Sequence, residues 1–175
     1  FGFEESDSFE VGLKFGFDDI SGTIALFDAS KSNMLVADPV NVGYSAPVGK
    51  ATSKGVEVDV TGSLGANTEY TISYAYVKAE TANDVVNVDW LVPIPKGSPL
   101  VNVPENNFSL SLNHDTRVFE QDIKIGGHYQ YISDRLGDPA DLTFRLPSYQ
   151  LVGLFATWQA TDRTAVSLNV DNVFD

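Results

Sequence analysis

The 175-residue chain contains no cysteine. That excludes disulfide frameworks, thiol catalysis and cysteine-ligated zinc. Histidine is scarce too: only His114 and His128 are present, and neither stands at a metal-ligand spacing from other donors. Basic residues number 11 against 24 acidic ones, a formal net charge of −13. Such a balance argues against nucleic acid as a partner, because its phosphates would be repelled. No run approaches the ~18 consecutive apolar residues of a membrane helix. That test is blind to membrane strands, whose residues alternate between two environments. The chain opens at Phe1 without a charged-apolar-small leader, as a mature chain or a fragment would.

What is present is finely interleaved. Hydrophobic residues make up 43% of the chain, yet mean hydropathy is only −0.07. The period is two. Val11, Leu13, Phe15 and Phe17 alternate with Gly12, Lys14 and Gly16; Val56, Val58 and Val60 alternate with Glu57 and Asp59. Tyr70, Ile72, Tyr74 and Tyr76 follow the same rule, as do Phe108, Leu110 and Leu112, then Ile123, Ile125, Tyr129 and Tyr131, then Val166, Leu168 and Val170. This pattern predicts strands and leaves little room for helix. Residues 23–36 and 149–161 also read as strands, but apolar residues occupy both parities and their faces stay unassigned.

The connections alternate in length. Residues 18–22, 65–68, 116–121 and 161–164 are short; residues 33–49, 79–105 and 133–147 are long. Strict alternation predicts an up-and-down antiparallel sheet of about eight strands, with tight turns on one rim and elaborate loops on the other. In an outer-membrane barrel those rims would be periplasmic and extracellular. A soluble all-β sandwich or meander that binds a ligand is the competing architecture, with its apolar parities turned to a core.

Catalytic chemistry finds no footing. Acidic residues are scattered without a paired-carboxylate pattern, no nucleophile motif occurs, and residues 63–70 have the small residues of a turn rather than a phosphate loop. No catalytic residue, metal ligand or cofactor is predicted, and the expectation is a protein that is not an enzyme. His114 is expected at a strand end and His128 on a polar parity.

Five segments together carry a family resemblance. Residues 4–15 (EESDSFEVGLKF) resemble the Pro-Glu-x-Ser-x-x-Tyr-Glu-Val-Gly-Leu-Lys segment of TonB-dependent siderophore receptors, with Phe9 in place of Tyr. Residues 25–39 are similar to the following strand and loop, where Phe-Asp-x-x-Lys-x-Asn is typical. Ser53, Gly55, Val56 and Glu57 match a Ser-x-Gly-Val-Glu strand. Residues 135–158 are close to a Gly-Asp-x-Ala-x-x-Phe-x-Leu-Pro-x-Tyr run, and residues 167–175 resemble an Asn-Leu-Phe-Asp segment before the last strand. One departure stands out: Gly153 sits where the family often has Asp.

The resemblance implies an all-β, antiparallel transmembrane β-barrel. Residues 1–175 would supply the C-terminal part of a 22-stranded wall with a plugged lumen, without the plug or the final strand. It implies uptake of a ferric siderophore across the bacterial outer membrane, energised by TonB acting through the plug. The iron would be cargo, ligated by the siderophore and not by the protein, and outer-membrane lipid and lipopolysaccharide would surround the wall. The ligand contacts expected at the mouth are Tyr44 and Trp90 in long loops, and Tyr131 and Arg135 where a strand reaches the extracellular rim. Arg135 can pair with an anionic group on the chelate, or with Asp134 or Asp138 to order its own loop. Tyr131 shares parity with Ile123 and Ile125, which also suits a lipid-facing girdle. A small self-contained outer-membrane barrel with a structural or adhesive role is the remaining alternative.

Overall fold

In the computed structural model, residues 3–38, 40–41, 43–86 and 92–174 are described. The strands are β1 (Glu5–Phe17), β2 (Ile20–Ala37), β3 (Ser45–Ser63), β4 (Thr68–Thr81), β5 (Val85–Val86), β6 (Pro93–Ile94), β7 (Asn106–Val118), β8 (Gln121–Ile132), β9 (Arg135–Asp138), β10 (Asp141–Leu146), β11 (Tyr149–Thr161) and β12 (Thr164–Val170). Eight of them form one antiparallel sheet in the order β1-β2-β3-β4-β7-β8-β11-β12. Every neighbour in that sheet follows in sequence apart from two small hairpins, β5–β6 and β9–β10, inserted on the long-loop rim. The sheet is open, with β1 at one edge and β12 at the other. These eight strands do not close on themselves as a small barrel.

Register sorts the side chains into two faces, because directly paired residues share a side. Leu13 pairs with Ile24, Ile24 with Val58, Val58 with Tyr74, and Tyr74 with Phe108. Farther across, Leu112 pairs with Gly127, Gly127 with Leu154, and Leu154 with Val170. One face is therefore apolar from edge to edge. The opposite parity carries Lys14, Thr23, Asp59, Ser73 and Ser109, with the Ser73 hydroxyl donating to Asp59 Oδ1 at 2.6 Å.

That apolar face is uncovered. Leu13 is 63% exposed and Leu168 66%, while the buried apolar side chains among the described residues are Ala25, Ala37, Ala51 and Leu136. A sandwich would press the apolar parity against a second sheet. No second layer covers the main sheet among the described residues, so these strands do not by themselves form a two-sheet sandwich. A contiguous uncovered patch of this size marks a surface built for a partner or a membrane.

The two strands with unassigned faces now resolve. In β2, Ile24 and Leu26 lie on the apolar side and Phe27 on the polar side; in β11, Val152, Leu154 and Trp158 are apolar-side and Phe155 polar-side. Phe27 pairs with Gly55 and Phe155 with Gly126, and each ring occupies the space a glycine side chain would take. The ring replaces a missing neighbour, so it packs without needing an apolar surround.

The short connections match expectation closely, with β1–β2, β7–β8 and β11–β12 joined by two-residue turns. The long ones are shorter and more ordered than expected. Residues 33–49 were expected as a loop, yet β2 and β3 continue pairing to Ala37 and Ser45, across irregularities at Met34. Asn33 takes the left-handed φ of +58 within the first of the two register shifts, between Lys31 and Met34. Likewise residues 79–105 and 133–147 hold the β5–β6 and β9–β10 hairpins. His114 lies within β7 on the apolar parity, paired with Thr68 and Ile125, rather than at a strand end.

Candidate functional site

The long-loop rim is knitted together by hydrogen bonds between loops distant in sequence. The segment after β6 returns along β4: Leu100 N–H donates to the Ala79 carbonyl at 3.0 Å and Val77 N–H to Glu105 at 2.9 Å. Thr81 N–H donates to the Ser98 carbonyl at 2.9 Å, and the hydroxyls of Thr81 and Ser98 both donate to the Pro95 carbonyl. On the other side, Lys50 N–H donates to Asn83 Oδ1 at 2.8 Å, tying the start of the same loop, before β5, to β3.

The β9–β10 hairpin docks against that segment. Asn102 N–H donates to the Leu136 carbonyl at 2.9 Å, and Ser133 N–H donates to Asn106 at 2.9 Å. Leu136 is only 1% exposed, so a small apolar centre sits beneath the hairpin. Phe144 covers Gly137, where an added Cβ would meet its ring at 2.6 Å. Asp138 Oδ1 accepts from Ala140 N–H at 2.7 Å. Asp141 Oδ1 accepts from both the amide and hydroxyl of Thr143, which holds its carboxyl below the usual range. The Gly-Asp-x-Ala-x-x-Phe run is thus a self-packing hairpin: Phe144 covers Gly137, and the two acids each accept from the amide two residues on.

Arg135, at the base of this hairpin, is the cation of the site. Its Nε donates to Asn102 Oδ1 at 2.7 Å, and its guanidinium lies over the Tyr149 ring, 5.6 Å from the centroid. Tyr149 pairs with Ile132 and so belongs to the polar-face parity of β11; the stacked guanidinium is carried to that side. Neither Asp134 nor Asp138 pairs with it. Asp134 instead takes Arg145, whose Nε and Nη2 both donate to Oδ2 at 3.0 and 2.9 Å. No carboxylate lies within ion-pair distance of Arg135 among the described residues. Its charge is thus not neutralised by any carboxylate of the described residues.

The other three sequence candidates are dispersed. Tyr44 sits in the β2–β3 tip, 72% exposed. Its carbonyl accepts from Asp38 N–H, and Asp38 Oδ1 accepts from the amides of Val40 and Asn41. Tyr131 stands on the apolar face between Phe108 and Gln150, on the opposite side of the sheet from Tyr149. Trp90 lies outside the described residues. Asn102 and Tyr149 escaped sequence reasoning, although Tyr149 closes the very run that Arg135 opens.

Among the described residues no group of three His, Asp or Glu side chains is placed to hold a metal ion. His128 lies across Gly153 on the polar face, its ring filling the position a side chain there would need. This accounts for the glycine where the family often has Asp.

Comparison with known proteins places these features in context. The metal-pseudopaline receptor CntO of Pseudomonas aeruginosa strain PAO1 is 33% identical over 175 residues, covering 98% of this chain and 24% of that protein. The ferrichrome outer membrane transporter/phage receptor of Escherichia coli K12 is 29% identical, covering 95% of the chain and 22% of that protein. Among solved structures, the ferric yersiniabactin uptake receptor FyuA from Yersinia pestis superposes with a TM-score of 0.83 at 22% identity, covering 98% of this chain and 25% of that one. The chain thus spans about a quarter of the length of these relatives. Residues 4–173 match the family model described as TonB dependent receptor-like, beta-barrel, and with one open antiparallel sheet, one uncovered apolar face and two unequal rims, the chain belongs to the TonB-dependent receptor β-barrel family.

Proposed function

We propose that the chain forms part of the wall of an outer-membrane receptor that takes up a ferric siderophore or a related metal chelate, driven by TonB through the plug of the whole receptor. The observation that carries this reading is the edge-to-edge apolar face beside an equally continuous polar face. In a bilayer the first meets lipid and the second lines a hydrated lumen, and the backbone groups of the six inner strands pair on both sides, leaving the outer edges of β1 and β12 for the rest of the wall. The short-turn rim is then periplasmic and the knitted long-loop rim extracellular.

At the mouth, Arg135 meets an anionic group of the chelate, while Asn102 and Tyr149 hold its guanidinium in place. Tyr44 adds a contact from the exposed β2–β3 tip farther along the rim. Tyr131 belongs to the aromatic girdle on the lipid side. The metal is cargo, kept by the donors of the chelator. The names of the relatives, one a metal-pseudopaline receptor and one a ferrichrome transporter, support a metal chelate as the substrate class.

The test is uptake of radioiron by cells whose only receptor is the full-length protein, with hydroxamate, catecholate and carboxylate chelates compared, with and without TonB. TonB-dependent accumulation with at least one chelate is expected. Wild-type receptor that accumulates none of them overturns the reading. Arg135→Gln is expected to weaken binding of a carboxylate-bearing chelate more than that of a neutral one.

A further inference from the structure

The apolar face carries three glycines on its own parity within the main sheet: Gly22, Gly62 and Gly127. Two of the gaps are filled by the chain itself. A Cβ on Gly22 would meet the Phe15 ring at 2.6 Å, and one on Gly62 would meet the Tyr70 ring at 2.7 Å. Each ring comes from the residue paired directly across. Gly127 has no such ring; a Cβ there would meet the Gly153 carbonyl oxygen at 2.8 Å and a methyl of Leu154 at 2.9 Å. A groove of about 520 Å³ remains there, walled by Leu110, Leu112, Ile125, Tyr129, Val152 and Leu154.

The groove ends in a polar group. His114 lies at its short-turn end, half-buried, with Nδ1 2.8 Å from the Thr68 hydroxyl. With Nδ1 engaged, Nε2 is left for an outside partner. From His114 to Leu110 the strand advances roughly 13 Å at ~3.3 Å per residue. At the ~35–45° tilt of barrel strands that is about 10 Å of depth, roughly two thirds of one leaflet of a hydrocarbon core ~30 Å thick. The short-turn half of the apolar face therefore offers a slot that spans most of one leaflet, with a hydrogen-bonding group at its headgroup end.

We propose that this groove holds one acyl chain of an inner-leaflet glycerophospholipid, with His114 contacting its phosphate. The proposal rests on the outer-membrane reading above. It commits to a lipid because the slot lies in the same continuous apolar face that the reading turns to the bilayer, and because its polar end complements an anionic headgroup. Elsewhere on this face a phenylalanine or tyrosine covers the glycine; here a foreign hydrocarbon does.

The experiment uses full-length receptor reconstituted in bilayers containing phosphatidylethanolamine with a photoactivatable diazirine in one acyl chain, with labelled peptides mapped by mass spectrometry. Labelling of residues 110–112, 125–129 and 152–154 several-fold above the equally apolar residues 56–60 is expected. Leu154→Phe, which fills the slot from its side without touching the glycine backbone, is expected to reduce the groove signal to the level of residues 56–60. His114→Gln is expected to lower it partly. Labelling uniform across the apolar face, or unchanged in Leu154→Phe, overturns the groove. Absence of labelling anywhere on the face would instead overturn the membrane reading, so the two failures are distinguishable.

Discussion

The Arg135 guanidinium lies 5.6 Å from the centre of the Tyr149 ring while its Nε donates to Asn102. Three separate segments thereby fix one cation: the base of β9, the start of β11 and the return from β6. The ring supplies a flat apolar support that neutralises nothing, so the charge stays available.

Replacing Tyr149 by Ala removes that support and nothing from the ligand. An exposed cation–π contact contributes ~0.5–1 kcal/mol. Chelate affinity is therefore expected to fall about two- to fivefold in calorimetric titration of the full receptor, since each 1.4 kcal/mol is tenfold. Arg135→Lys should weaken binding at least as much, because an ammonium cannot reproduce the planar fork. Unchanged affinity in both would place the chelate elsewhere on the rim.

Leu136 is the only large side chain fully buried among the described residues. Leu136→Ala is expected to cost the hairpin dock about 2–5 kcal/mol. The loss should be local. Amide exchange at Asn102 and Ser133, whose N–H groups bond within this dock, should accelerate, while amides of β3 and β7 at membrane depth keep their protection. Equal acceleration everywhere would mean that the rim is not a separate unit of stability.

The β7–β8 turn is built from residues poorly suited to it. Phe119 and Glu120 take φ values of +48 and +66, as a two-residue hairpin of this hand requires, and Asn-Gly is the pair that adopts them most readily. Phe119 is also 95% exposed, so no packing offsets the conformation. Phe119→Asn with Glu120→Gly is expected to stabilise the barrel by about 1 kcal/mol, read as a higher denaturant midpoint for the reconstituted receptor. A lower midpoint would reveal a contact made by the phenylalanine ring.

Acid should loosen the β2–β3 tip. Hydrogen bonds from the Asn41 amide side chain, then from the backbone amides of Asn41 and Val40, hold the Asp38 carboxyl below its usual range. A depressed carboxyl contributes order that is complete above its unfolded value of ~3.9 and is lost as pH falls through the lower folded value. Proteolysis of the tip is therefore expected to stay slow at neutral pH. A pulse at acid pH should open it, and Asp38→Asn should weaken it already at neutral pH. An Asp38→Asn tip as resistant as wild type would show that the carboxylate does not hold this turn.

Much of the fold was legible because period-two alternation and tight-turn spacing are local signals. The eight main strands and the unequal rims followed from them directly. The faces of β2 and β11 did not, because Phe27 and Phe155 sit on the polar side over Gly55 and Gly126. Periodicity within one strand cannot see the glycine on the next. The same blindness hid the reason for Gly153, which yields its space to His128. At the rim, Arg135 was legible as a cation with two nearby carboxylates, Asp134 and Asp138, as rival partners. Asn102 and Tyr149 were not, since only the folded loops bring them to it, and the expected carboxylate Asp134 goes to Arg145.

The bonds that join the long loops also bear on how such a receptor changes its cargo. Asn102 is held to the backbone of Leu136 and holds the side chain of Arg135, while the start of the same long loop is pinned to β3 by Asn83 at Lys50. A single loop transplanted from a relative would arrive with its seams cut. New specificity must then be inherited in blocks, hairpin and returning segment together, and a graft of residues 79–105 without residues 133–149 is a foreign tile in a fitted floor.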